Sequence, residues 1–97
     1  MKLVFSPAAE ADLVEIALYI AADDIERAQS FVGELEAACA VLVDHPFAGV
    51  ARPELGDGVR SKPYHRYVIY YRVEDESVRI ERFLHGARDS GAAMQDN

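Results

Sequence analysis

The side chains with chemistry to offer are three histidines, one cysteine and a set of arginines. His45, His65 and His85 form no pair at i,i+3 or i,i+4, and Cys39 is the only thiol. Zinc sites normally show close ligand pairs, so no metal and no cofactor is expected. Cys39 falls on the apolar stripe of a helix, where a thiol behaves as an inert core residue. The serines stand in no nucleophile elbow. Gly56 and Gly58 do not lead into a helix, so no phosphate loop is present. What remains is metal-free cleavage of RNA. That reaction needs a base for the 2′-hydroxyl, an acid for the leaving oxygen and cations on the phosphate. His85 with Arg66, Arg72 and Arg79 fills those roles if one sheet face holds all four. Glu81 is then either a base or the neutralising partner of Arg72 or Arg79 across the strands. Tyr64, Tyr67, Tyr70 and Tyr71 either stack bases and anchor a partner, or fill a core that has no Trp. Facing favours the core for Tyr67 and Tyr71 and an exposed role for Tyr70.

Several elements must position these groups. Residues 2–5 read as a strand. Ser6-Pro7 is a helix-start signal, with Ser as N-cap and Pro at the first helical position. Leu13, Ile16, Ala17 and Ile20 then recur at helical spacing over about four turns. Asp23 with Glu26 fits a capping box for a second helix. That helix carries Ala28, Phe31, Val32, Leu35, Cys39 and Leu42 on one stripe and ends near Asp44, because Pro46 disfavours helix before it. The short joint predicts an antiparallel helical hairpin. Residues 45–58 read as loop. The period then changes to two: 59–62 is a short strand, and 67–73 and 78–85 form a hairpin. Residues after Gly86 read as a tail that frays beyond Asp89.

These elements make an α+β domain, with a helical hairpin covering one face of a largely antiparallel sheet. Alternation places Tyr67, Ile69, Tyr71 and Val73, with Val78, Ile80 and Leu84, on the core face. Arg66, Val68, Tyr70 and Arg72, with Arg79, Glu81, Phe83 and His85, fall on the other. Arg82 lands among apolar residues, so either it lies beyond the helices or a bulge re-aims it.

At 97 residues, 51% apolar, the chain is one domain able to bury a core. It has no apolar run long enough to span a bilayer, and its first residues do not resemble a signal peptide, so a cytoplasmic location is expected. The net charge is −7, which argues against wrapping nucleic acid with the whole surface. The halves differ: residues 1–50 hold two basic and nine acidic side chains, residues 51–97 eight of each. The helices are rich in alanine, which leaves shallow grooves for a partner helix, and a sheet edge is open to a partner strand.

The segments AAEADLVEIALYIA, HPFAGVARPELGDGVRSKPYHRYVIYYRV and RIERFLHGARD together resemble the RelE/ParE toxin superfamily, nearest its ParE branch. The resemblance covers roughly residues 2–89, implying one toxin domain over 1–89 and a flexible tail over 90–97. It implies the toxin of a type II toxin–antitoxin module that inhibits DNA gyrase, blocks replication and is neutralised by a ParD-like antitoxin. The hetero-oligomer would bind operator DNA through the antitoxin. Leu13, Ile16, Ile20, Phe31 and Leu35 are assigned to the antitoxin, and Arg60, Arg66, Tyr70, His85 and Arg88 to the target. The RelE branch implies an alternative, a ribosome-dependent messenger-RNA endonuclease with His85 as its catalytic residue. A partner-binding module without toxicity is a third reading. An acidic chain with a single candidate histidine is expected not to cleave RNA.

Overall fold

The computed structural model of the chain describes residues 1–88 and 90–95. Strand β1 (Lys2–Phe5) leads into helices α1 (Pro7–Ala21) and α2 (Ile25–Asp44). Strands β2 (Val50–Ala51), β3 (Val59–Tyr64), β4 (Tyr67–Val73) and β5 (Ser77–His85) follow, then a short helix α3 (Ser90–Gln95). The sheet order is β1-β5-β4-β3-β2. β1 pairs parallel to β5, and the other neighbours are antiparallel.

Local chemistry sets the boundaries. Ser6 caps α1 as the sequence predicts: its Oγ accepts from Ala9 N at 3.0 Å, and Pro7 opens the helix. The cap of α2 is Asp24 rather than Asp23, with its carboxylate accepting from Arg27 N at 3.0 Å. β3 runs to Tyr64, two residues beyond the expected strand, although Pro63 lies within it. β2 covers only Arg60 and Ser61, so Pro63 stands where β3 is an edge, and an edge tolerates a residue with no N–H. β2 and a 3₁₀ turn at Pro53–Leu55 lie in the stretch read as loop. α3 occupies part of the stretch read as tail; its last two residues, Asp96 and Asn97, and the domain boundary at Asp89 lie outside the described residues.

The bulge sits in β5. Tyr70 pairs with Arg82 and Tyr71 with Ile80, so Glu81 has no partner across the ladder. One extra residue inverts the alternation beyond it. Phe83, expected on the far face, joins Val78, Ile80, Ile69 and Tyr71 under the helices, with Ile16, Phe31, Leu35, Cys39 and Leu42. Leu84, expected in that core, turns to the far face and packs with Val59, Tyr70, Ala93 and Met94 in a second cluster under α3.

β1 ends at Phe5, which leaves the edge of β5 open beyond Ile80. α1 closes it. Ser6 Oγ donates to Glu81 O at 2.8 Å. Asp12 accepts Phe83 N at 3.0 Å and takes both ends of the Arg82 guanidinium, at 2.7 and 3.0 Å. Arg82 also donates to Ala93 O at 2.9 Å, tying α3 to the sheet. Buried backbone groups and charges need such partners.

Candidate functional site

Three of the five residues assigned to the target come together. Arg66 from the β3–β4 turn, and His85 and Arg88 from the end of β5, line one cleft of about 390 Å³. Its buried lining includes Ile16, Phe83, Leu84 and Asp12, with Tyr67 half-buried beside them. Glu15 and Tyr19 of α1 face it from the helix side. The bulge is what delivers His85 here, opposite Tyr67, with the two rings edge-to-face at 5.6 Å. Ala87 N donates to His85 Nδ1 at 3.2 Å, which assigns the proton of a neutral ring to Nε2. Burial, with Tyr19 and Glu15 nearby, raises the Tyr67 phenol above its ordinary value, so at neutral pH it remains an O–H donor.

The cationic groups of this cleft are unusual within the molecule. Arg27 pairs with Glu34 at 2.5 Å and Arg52 with Glu54 at 2.8 Å. Arg72 and Arg79 share Glu81 at 3.6 and 3.0 Å, and Arg82 holds Asp12. Arg60 donates to Gly49 O at 3.1 Å and Phe47 O at 3.3 Å and lies over the Phe47 ring. Among the described residues, the guanidinium groups of Arg66 and Arg88 alone have neither an ion pair nor a hydrogen bond.

The remaining assignments are redistributed. Arg60 stands at the loop after α2, away from the cleft, and Tyr70 is 5% exposed in the second core. The ribonuclease set divides. His85 and Arg66 line the cleft beside α1, whereas Arg72 and Arg79 line a different hollow with Ser6 and Glu81. Arg72 also donates to Asp57 O. His85 therefore does not share a face with Arg72 and Arg79, because the bulge reversed its side.

The five residues assigned to the antitoxin point inward. Ile16, Phe31 and Leu35 are buried in the main core, and Leu13 and Ile20 pack against it. The outer side of the hairpin carries a groove of about 410 Å³, lined by Ala17, Leu18, Ala21, Ile25, Ala28 and Val32, with Gln29 as its one polar side chain among the described residues. Leu18 is 68% exposed and Ile25 66%. The signal was in the sequence: Val14, Leu18 and Ala21 make a second apolar stripe on α1, opposite the stripe that fills the core.

The family model for the ParE toxin of the type II toxin–antitoxin system parDE matches residues 3–90. The chain belongs to the ParE toxin family. Among solved structures it is similar to a chain of the chromosomal ParDE toxin–antitoxin system from P. aeruginosa, at 25% identity and a TM-score of 0.75, covering 88% of this chain and 95% of that one. No curated protein matches it. The chain is thus the toxin of a type II module, and an antitoxin is its partner. Among the described residues, no helix is long and apolar enough to cross a membrane.

Proposed function

We propose that this ParE-family toxin inhibits DNA gyrase in the cytoplasm and so blocks replication. A cognate ParD-like antitoxin neutralises it by laying an amphipathic helix in the outer hairpin groove, and the hetero-oligomer binds operator DNA through the antitoxin. The observation that carries the antitoxin half is that groove: an apolar trough between α1 and α2 with Leu18 and Ile25 standing exposed. A helix-in-groove partner buries such residues and supplies its own anchors at i, i+3 and i+4. Both helices lie in the half of the chain with two basic and nine acidic residues, so the antitoxin segment carries basic flanks. The gyrase half draws support from the family and from the division of His85 from Arg72 and Arg79, which leaves the ribonuclease reading without its constellation.

Controlled expression from a tight promoter is the test. Double-strand breaks that depend on gyrase, with transcripts intact by primer extension, are the expected result. Specific transcript cuts that vanish in His85→Ala overturn the gyrase reading. For the antitoxin half, Leu18→Glu is expected to weaken antitoxin binding more than tenfold while toxicity persists; unchanged binding moves the antitoxin elsewhere.

A further inference from the structure

The cleft beside α1 combines an apolar floor with one-sided charge. Ile16, Tyr67 and Phe83 form a surface able to take one aliphatic or aromatic side chain. On the strand side stand two guanidinium groups with no partner among the described residues, and the Nε2–H of His85. On the helix side stands Glu15, whose carboxylate repels an acid placed there. Asp12 is already committed to Arg82 and Phe83 N, so it does not neutralise the rim. On a molecule of net charge −7, unpaired arginines aimed at one apolar cleft are a complementary surface for acid. Arginine is also the cation best suited to carboxylate forks.

We propose that this cleft binds an acidic segment of the target protein, with one apolar side chain on Ile16, Tyr67 and Phe83 and flanking carboxylates on Arg66, Arg88 and His85. Glu15 fixes the polarity of the segment, since its carboxylates must lie toward the strands. The cleft is separate from the antitoxin groove: Glu15, Ile16 and Tyr19 project from one flank of α1, and Ala17, Leu18 and Ala21 from the other. The assignment rests on the gyrase reading only for the identity of the protein that presents the segment.

The test needs no target. The ¹⁵N-labelled full chain is titrated with the capped pentapeptide Asp-Glu-Leu-Glu-Asp, with Lys-Lys-Leu-Lys-Lys, and with inorganic phosphate. The acidic peptide is expected to give saturable amide shifts confined to the cleft, with a Kd on the order of 1 mM, as a few exposed charge pairs and one buried side chain provide. Arg66→Glu with Arg88→Glu should weaken binding at least about tenfold in a protein whose circular dichroism is unchanged, and Glu15→Gln should tighten it. No saturable shift, equal binding of the basic peptide, equal binding of phosphate at the same amides, or indifference to both sets of substitutions overturns the proposal. Peptide binding without any effect on gyrase keeps the cleft and removes the gyrase reading; gyrase inhibition without peptide binding does the reverse.

Discussion

At the scale of single residues, Asp12 ties α1 to β5. One carboxylate holds Arg82 through two nitrogens, takes the orphan N–H of Phe83, and through Arg82 connects to α3. Both side chains of the pair are under 10% exposed. Removing one member of a buried pair strands the other charge and costs about 3–5 kcal/mol, a large part of the ~5–15 kcal/mol that stabilises a domain. Asp12→Ala should therefore lower the denaturant midpoint steeply, and Asp12→Ala with Arg82→Met should cost less than the sum of the two. A loss under about 1 kcal/mol for Asp12→Ala would contradict a buried role. Cys39 gives a second prediction. Burial pushes its thiol up to about 12, and the thiolate is the reactive form. At pH 8 the folded protein should leave a thiol reagent unreacted, and denaturant should release one equivalent. Cys39 was readable as a core residue from its stripe. Asp12 was not readable as a structural ion, because its partner lies 70 residues away and its spacing marks it only as a polar position on α1.

At the scale of elements, the strand-to-helix junction and the β5 bulge decide the geometry. Ser6 caps α1 and also satisfies the carbonyl of Glu81 at the bulge. Asp24 caps α2 from an exposed position with a single bond. Losing a cap costs about 1 kcal/mol, and a buried acceptor left without its donor adds about 1–3 kcal/mol. Ser6→Ala should thus destabilise at least twice as much as Asp24→Ala in paired denaturation curves; equal losses would show that the bulge carbonyl does not depend on the serine. The end of β3 is docked on α2 through Glu34, which accepts from Arg27 at 2.5 Å and from Tyr64 Oη at 2.6 Å. The hydrogen bond from Arg27, then that from Tyr64, lowers the Glu34 carboxyl below its ordinary value. A lowered folded value means a stabilising contribution that is complete above the unfolded carboxyl range and lost as pH falls through the folded one. Carboxyl-detected NMR titration should find Glu34 below its ordinary value and moving upward in Arg27→Ala. The positions of α1, α2 and the last two strands were legible from periodicity and from Ser6-Pro7, whereas α3 read as tail. The two faces of β5 were legible only as far as Ile80, because periodicity cannot show one unpaired residue, and that residue moved Phe83 and His85 to one side and Arg82 and Leu84 to the other.

At the scale of the whole molecule, charge and apolar surface are divided between two flanks of α1. One flank and α2 make an apolar groove on the acidic half of the chain; the other faces a cleft whose arginines have no partner among the described residues. The alanine-rich helices offered shallow grooves for a partner helix, but the residues assigned to it lay on the core stripe, since a helix with two apolar stripes reads first as its stronger one. The direct measurement of the central claim is a gyrase cleavage assay with the purified chain, supercoiled plasmid and ATP, run with and without the antitoxin. The account predicts accumulation of linear, gyrase-linked DNA that the antitoxin abolishes. Unimpaired supercoiling at saturating toxin, with cleavage of messenger RNA on added ribosomes, would contradict it.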